Sequence, residues 1–208
     1  IGDIVQIEGS GANQLGMVTQ IYEGGASVSP FGFVEGFKIG ERVYASDIGM
    51  SIPVGEGLLG RVVDPFMRPK DGKGPIFSTE RVPIMKAPID AMKRGLIDEP
   101  FSVGVKAIDG LLTCGKGQKL GIFAGSGVGK STLMGMIVQH CVAPCKVVAL
   151  IGERGREVPE LIQKNLGGDL FGTVMVVATS DDSSLMRKYG AFCAMSVAEY
   201  FKNKGHDV

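Results

Sequence analysis

A glycine-rich turn stands between an apolar run and a helix-forming segment, and this junction constrains the fold more than any other part of the sequence. The apolar run is Leu120 to Ala124, the turn reads GSGVGKST over residues 125–132, and the helix is predicted over Lys130 to Gln139. Glycines let the backbone fold around an anion with its amides pointing inward, and the N-terminal end of a helix adds a positive dipole. The junction therefore predicts a phosphate-binding loop that follows a buried strand.

The predicted loop assigns roles to particular side chains of a nucleotide site. Lys130 is expected to reach the β and γ phosphates, and the Ser131 hydroxyl is expected to coordinate Mg²⁺. The expected nucleotide-binding residues are Gly125, Ser126, Gly127, Val128, Gly129, Lys130, Ser131 and Thr132. The general pattern GxxxxGK[ST] has glycine where this chain has Ala124. A glycine-rich turn beside a chance Gly-Lys-Ser is the alternative reading, and the flanking strand and helix count against it.

Strands and helices alternate after residue 101, which indicates an α/β fold with a parallel sheet and right-handed crossovers. Two further strands are predicted at Lys146 to Ile151 and Thr173 to Ala178, the second rich in valine, as buried strands are. Two further helices are predicted at Val158 to Asn165 and Ser184 to Lys204. The core-facing side chains of the last helix are expected to be Leu185, Tyr189, Phe192, Ser196 or Val197, and Tyr200.

The first 50 residues follow another pattern, in which short strands are separated by glycine or polar turns. They predict a small N-terminal β-barrel or sandwich with strands at Asp3 to Glu8, Gly16 to Tyr22, Ala26 to Ser29 and Glu41 to Ala45. Residues 51–100 are rich in proline and glycine turns and are expected to be extended linking structure. The chain thus divides into a β-barrel over residues 1–50 and a second unit over residues 51–208, which holds the linker and the phosphate-loop core. Because the sequence already looks like a strand at Ile1, just before Asp3, we expect an upstream segment.

Glu153 and Arg154 directly follow the strand predicted at Lys146 to Ile151 and Gly152. Charged residues at the carboxyl end of a parallel strand point into the crevice where ligands bind. Glu153 is positioned to polarise a water molecule that attacks a γ-phosphate, and Arg154 to stabilise the charge that develops. From spacing alone, a solvated turn with an internal ion pair is an equal alternative.

Charge and hydropathy exclude several classes of protein. The 22 Lys and Arg residues balance the 22 Asp and Glu residues, so the basic surface of a nucleic-acid-binding protein is not expected. No apolar run approaches the length of about 18 to 20 residues that spans a bilayer as a helix. The cysteines lie in apolar or helical stretches without CxxC spacing, so we expect reduced thiols and a cytosolic protein. They are Cys114, Cys141, Cys145 and Cys193.

Two motifs carry a family resemblance: Gly125 to Leu133, which reads GSGVGKSTL, and Leu150 to Val158, which reads LIGERGREV. In these motifs the chain resembles the ATPases of flagellar and type III protein export, which are relatives of the rotary ATP synthase catalytic subunit. Asp109 to Gln118 and Ala198 to Phe201 are similar to the same family, and the resemblance covers nearly the whole chain. In that family alanine is usual at the position of Ala124.

The resemblance implies a RecA/F1-like parallel sheet with a phosphate loop, and an ATPase that uses Mg²⁺. The implied roles are general base for Glu153, phosphate-contacting arginine for Arg154, phosphate lysine for Lys130 and magnesium ligand for Ser131. The implied protein is a homohexamer when full length, cytoplasmic and peripheral at the inner face of the bacterial membrane, that helps to feed substrates into an export channel. The implied partners are components of the export apparatus, regulatory stalk proteins and complexes of export chaperones with their substrates, and no nucleic acid. The stretch from Leu185 to Phe201 is more similar to flagellar members than to virulence-system members.

The resemblance also implies elements that follow Val208 in that family: the aspartate that organises Mg²⁺, an arginine finger, an adenine pocket and a C-terminal helical domain. We therefore expect residues 1–208 alone to hydrolyse ATP weakly or not at all, and not to form a stable hexamer. Position alone would nominate Asp181 or Asp182, after the strand that ends at Ala178, as the magnesium aspartate. The resemblance argues against both.

Three alternative functions remain open. A rotary ATPase catalytic subunit shares the fold and the mechanism, but it typically has threonine at the position of Gly155. A non-catalytic nucleotide-binding subunit that only builds a ring would usually lack the carboxylate of Glu153. A ring-shaped RNA translocase would use the N-terminal strands as an RNA-binding barrel, and the neutral net charge counts against it.

Overall fold

The computed structural model describes residues 1–9, 13–32, 36–46, 50–125 and 127–208. The strands are β1 (Ile4–Glu8), β2 (Asn13–Tyr22), β3 (Gly25–Pro30), β4 (Arg42–Ala45), β5 (Ser51–Val54), β6 (Val62–Val63), β7 (Glu80–Pro83), β8 (Lys146–Ile151) and β9 (Thr173–Ala178). The α-helices are α1 (Lys106–Leu111), α2 (Lys130–His140), α3 (Glu157–Glu160) and α4 (Ser184–Asn203). Helix α3 continues as a π-helical turn over Leu161–Asn165, and short 3-10 turns lie at Glu56–Leu58 and Ala91–Lys93.

The first four strands form one antiparallel sheet in the order β3-β2-β1-β4, and all four overlap the predicted strands. Within the described residues, β3 and β4 stay at opposite edges and do not pair, so the sheet is open and the predicted barrel is not confirmed. The sheet instead packs its apolar face on the second half of the chain. Ile4, Met17 and Phe31 are buried in one cluster with Tyr189 of α4. Because Tyr189 packs on these residues, the sheet removes part of its apolar surface from water without closing on itself.

A parallel sheet in the order β6-β9-β8 forms the centre of the second half. β8 and β9 have the predicted bounds and pair in register from Lys146 with Thr173 to Ile151 with Ala178. Every residue of β9 is buried, and its side chains alternate between two cores. Val174 and Val176 belong to the cluster that includes α4, and Met175 belongs to the cluster that includes Leu161. Packing on both faces explains why this strand is a continuous apolar run rather than an alternating one.

Residues 51–100 contribute more to the fold than the linking structure that their sequence predicts. β5 and β7 pair as an antiparallel two-stranded sheet, and β6 extends the parallel sheet by pairing with β9. Ile52, Val54 and Leu58 are fully buried in the same cluster as α4. The sequence hides these elements because β6 has only two residues, which is too short for periodicity to show.

The strand predicted at residues 120–124 is not formed. The residues there pair with no other described strand, and β8 pairs with β9 alone in the described part of the chain. Leu120, Ile122 and Phe123 are 57%, 42% and 96% exposed. The prediction rested on apolar character, which indicates a tendency to be buried but does not supply the partner strand that a ladder needs.

Helix α4 packs across the parallel sheet and lies almost where it was predicted. The Ser183 hydroxyl caps it by accepting a hydrogen bond from the Met186 amide at 3.2 Å. The buried side chains of α4 include Met186, Tyr189, Cys193, Val197, Tyr200 and Phe201. Phe192 was predicted to face the core, but it is 41% exposed. Tyr189, Ser196, Val197 and Tyr200 are buried as predicted, and Leu185 is half-buried against the same core, whereas Cys193 takes the buried position expected of Phe192.

The four cysteines are free thiols, as their spacing predicts. Burial raises the pKa of the Cys145 thiol and raises that of the Cys193 thiol to about 12. The thiolate is the reactive form of cysteine, so both side chains act as small apolar groups of the core.

Candidate functional site

The predicted phosphate loop leads into α2, whose first residue is Lys130. Gly127 and Gly129 have φ angles of +75° and +99°, in the left-handed region that side chains with a Cβ rarely adopt. The space around both α-carbons is open, so the requirement for glycine is conformational and does not arise from crowding. The backbone amides of the first turn of α2 have no partner within the helix and are available to an anion. Ser126 of the predicted set lies outside the described residues.

The phosphate loop and the turn after β8 line one cleft of about 470 Å³. Its lining residues are Gly125, Gly127, Gly129, Lys130, Ser131, Thr132, Gly152, Glu153, Arg154 and Glu157. Of the predicted site residues that are described, the structure places all except Val128 in this lining, and the Val128 side chain is 68% exposed. Two segments that are 20 residues apart in sequence, from Thr132 to Gly152, therefore face one space, which is large enough for a small-molecule ligand.

A second compartment of about 410 Å³ adjoins this cleft. Both spaces share Ser131, Thr132, Glu153 and Glu157, so these side chains form the boundary between them. The far wall of the second compartment includes Arg156, Glu160, Leu161 and Asn165. We call the first space the loop cleft and the second the α3 compartment.

Glu157 has a place in the site to which sequence reasoning gave no role. It is half-buried, begins α3 and lines both the loop cleft and the α3 compartment. The signal that could have identified it is its spacing, since it follows Arg154 by three residues and Glu153 by four at the start of a helix.

Arg154 lies close to Glu157, with the guanidinium nitrogen 4.0 Å from the carboxylate oxygen. The Arg154 side chain is 69% exposed, so this ion pair contributes little to stability. The internal ion pair that the sequence offered as an alternative is thus present, and Arg154 lines the loop cleft as well. A weakly held arginine at the edge of a cleft can turn toward a phosphate group at low cost.

The donor set of the loop cleft suits a magnesium nucleotide. Ser131 offers a hydroxyl oxygen, and Glu153 and Glu157 offer carboxylate oxygens, which are the hard ligands that Mg²⁺ prefers. Within the described ranges, no group of three or more His, Cys, Asp or Glu side chains could hold a metal ion. Mg²⁺ usually binds through one or two protein ligands together with substrate phosphates and water, so Ser131 and the phosphate groups of a nucleotide fit that mode.

Comparison with known proteins assigns this arrangement to a family. The family model described as ATP synthase alpha/beta family, nucleotide-binding domain, matches residues 104–208, which include the phosphate loop, β8, β9 and α4. The chain belongs to this ATP synthase alpha/beta family.

Members of the ATP synthase alpha/beta family that resemble this chain come from flagellar and type III secretion systems. The flagellum-specific ATP synthase of Helicobacter pylori strain 26695 is 62% identical over 209 residues, which cover 100% of this chain and 48% of the relative. The type 3 secretion system ATPase of Xanthomonas euvesicatoria is 46% identical over 181 residues, covering 86% of this chain and 41% of the relative. The resemblance that the motifs at residues 125–133 and 150–158 indicate is confirmed.

Solved structures agree with these relatives. The assembled ATPase EscN from the type III secretion system of enteropathogenic E. coli is 42% identical, with a TM-score of 0.89, and the match covers 100% of this chain and 50% of EscN. EscN in complex with its central stalk EscO gives the same TM-score at 40% identity. This chain spans about half the length of the relatives it matches.

Proposed function

We propose that the protein is an ATP-hydrolysing motor subunit that energises protein export through a flagellar or type III secretion apparatus. One observation carries the proposal: Lys130 and Ser131 of the phosphate loop line the same cleft as Glu153 and Arg154. That arrangement combines groups that bind a triphosphate with groups that act on its terminal phosphate. The relatives named for flagellar and type III secretion systems support the biological context.

The binding half of the site is the loop and the start of α2. The loop amides and the N-terminal end of α2 attract the phosphates, and Lys130 adds a charge-assisted contact to the β and γ groups. Ser131 and the phosphates would hold Mg²⁺, which when bound neutralises charge on the phosphates. Val128 contributes its backbone alone, since its side chain is exposed.

The reacting half of the site is the turn after β8. Glu153 is half-buried at the boundary of the loop cleft and the α3 compartment, where it can orient a water molecule and accept its proton. Arg154 can stabilise the charge that develops on the transferred group. Hydrolysis therefore depends on Glu153 as base, and binding depends on the loop.

Two alternatives predict different behaviour. A non-catalytic ring subunit would bind MgATP without turnover, and the carboxylate of Glu153 in the cleft favours the catalytic role. A rotary ATPase catalytic subunit would hydrolyse ATP with the same site but would not support export. Gly155 separates the export ATPases from the rotary subunits, which typically have threonine there, by family pattern alone. The structure does not require glycine for steric reasons, because a Cβ at this position would meet Asp181 Oδ2 at an ordinary contact distance of 3.5 Å.

We further propose that the full-length protein works as a homohexamer at the cytoplasmic face of the bacterial membrane, together with export-apparatus components, a stalk protein and chaperone–substrate complexes. The assembled state of EscN and its complex with the stalk EscO support the assembly and the stalk partner. The helices of the described residues include none whose length and hydropathy suit a membrane crossing. Nucleic acid is not a proposed partner because the net charge is zero.

The experiment that tests this function is export complementation. A strain that lacks its own copy of this gene receives the full-length parent, Glu153→Gln or the control Glu199→Gln. Glu199 lies on α4, and its carboxylate pairs with Lys86. The parent and Glu199→Gln should restore secretion of export substrates, and Glu153→Gln should not. Equal secretion with and without the parent protein would contradict an export role, even if the protein hydrolyses ATP.

A further inference from the structure

Glu153 lies beyond the last paired residues of β8, so the strand ladder does not by itself fix its position. Two backbone hydrogen bonds continue past the ladder. The Gly152 amide donates to the Ala178 carbonyl over 2.7 Å. The Ser180 amide donates to the Glu153 carbonyl over 2.9 Å. The position of Glu153 therefore depends on the loop that follows β9, and on Ser180 in particular.

The carboxylate of Asp182 folds that loop into a closed turn. Its Oδ2 atom accepts hydrogen bonds from the Thr179 amide at 2.7 Å and from the Thr179 hydroxyl at 3.2 Å. The Asp182 amide donates in return to the Thr179 carbonyl over 3.1 Å. Lys70 Nζ lies 3.9 Å from the same Oδ2 atom. Ser180 lies inside this turn, so the turn sets the direction of the amide that holds Glu153.

We propose that Asp182 is a positioning residue for ATP hydrolysis, acting through Ser180 on Glu153. The inference rests on the proposed function, because the position of Glu153 matters to the rate only if Glu153 acts on the substrate. Asp182 lines neither the loop cleft nor the α3 compartment as the described residues define them, and its Oδ2 atom is directed to Thr179. Its effect on the reaction is therefore indirect. Displacement of a reacting group by about 1 Å can lower a rate on the order of a hundredfold.

The chain offers two matched controls for Asp182. Asp181 is its neighbour, is exposed and takes part in none of the hydrogen bonds described for the turn, so Asp181→Asn makes the same charge change without opening the turn. Asp169 holds a comparable turn before β9, where its Oδ1 atom accepts from the Phe171 amide at 2.8 Å. Asp169→Ala thus removes the acceptor of a turn before the first residue of β9, at the strand end remote from Glu153.

The test measures steady-state ATP hydrolysis and MgATP binding of the full-length protein. Asp182→Ala should lower kcat on the order of tenfold or more, while the Kd for MgATP stays within about twofold of the parent. Asp182→Asn keeps one oxygen that can accept from the Thr179 amide, so its kcat should fall between those of the parent and Asp182→Ala. If Asp182→Ala does not fold, the comparison of Asp182→Asn with the parent and the two controls decides.

A double variant separates positioning from general loosening of the structure. In single-turnover hydrolysis, Asp182→Ala should cause a smaller fold loss in a Glu153→Asp background than in the parent, because Asp182 acts only through Glu153 and the shorter side chain already displaces the carboxylate. An equal fold loss in that background would overturn the proposal, as would parent-like kcat in the Asp182 variants or a matching loss in either control. Parent-like turnover of Glu153→Gln alone would instead contradict the proposed function of Glu153, and this inference with it.

Discussion

Arg61 and Asp71 form a bidentate ion pair in which two guanidinium nitrogens lie 2.7 Å and 2.9 Å from the carboxylate oxygens. Asp71 also accepts a hydrogen bond from the Val62 amide at 3.1 Å, and Val62 belongs to the strand β6 that pairs with β9. The Arg61 guanidinium, followed by the backbone amides of Lys73 and Val62, holds the pKa of the Asp71 carboxyl well below its usual range against the opposing effect of burial. The protonation state of the Asp71 carboxyl group therefore affects how firmly β6 is held at the edge of the parallel sheet.

The first prediction concerns the pH dependence of stability. A carboxyl group whose pKa is lower in the folded state stabilises the fold above its unfolded pKa, which is about 4, and loses that contribution as pH falls through its folded value. Asp71→Asn should lower the free energy of unfolding at pH 7 by about 1–3 kcal/mol, and the difference from the parent should shrink as pH falls below about 4. Urea unfolding from pH 7 to below about 4 measures the difference in the free energy of unfolding. Asp98→Asn is the control, because the Asp98 side chain is exposed. A difference that is constant with pH would contradict the ion-pair account.

The second prediction concerns the conformation of the phosphate loop. Gly129 and Gly205 both have positive φ, +99° and +94°, and both have open space around the α-carbon. Alanine at either position should therefore introduce a similar backbone strain, on the order of 1–2 kcal/mol. Gly129→Ala should weaken MgATP binding, and Gly205→Ala, beyond the end of α4, should not. Equal nucleotide affinities in the two variants would show that the loop conformation is not needed for binding.

The third prediction concerns the phosphate lysine. Lys130→Ala should abolish nucleotide-dependent hydrolysis in the full-length protein, because the loop amides alone would have to balance the charge of the triphosphate. The exposed Lys202→Ala on α4 is the control for loss of a positive charge. A coupled ATPase assay measures both. Turnover of Lys130→Ala within about threefold of the parent would remove Lys130 from the site, since a phosphate contact of this kind is worth far more.

The sequence predicted β8, β9 and α4 well because each is an apolar segment of sufficient length with clear ends. The strand predicted at residues 120–124 is not formed, and Phe123 is 96% exposed. Apolar character does not indicate whether a partner strand is present. The sequence also missed β6, since the pairing of Val62 and Val63 with β9 is a long-range contact that two residues cannot signal.

The sequence predicted the motifs of the candidate site but not the contacts that hold those motifs in place. The spacing from Gly125 to Thr132 and the charges of Glu153 and Arg154 are local in the sequence, and the structure brings them to one cleft. The turn held by Asp182 depends on where β9 ends relative to β8, which is a property of strand register. Sequence position alone would nominate Asp181 or Asp182 for a metal, whereas the Asp182 Oδ2 atom accepts hydrogen bonds from Thr179.

The most direct test of the central claim is MgATP binding and hydrolysis by Glu153→Gln in the full-length protein, with Glu199→Gln as the matched carboxamide control. The amide fills the space of the carboxylate but cannot accept a proton from the attacking water, so binding should be retained and hydrolysis should stop. Equilibrium binding and single-turnover hydrolysis of the same preparation separate the two quantities. Glu153→Gln should bind MgATP like the parent and release no phosphate above background, whereas hydrolysis at the parent rate would contradict the assignment of Glu153 as the base of this site.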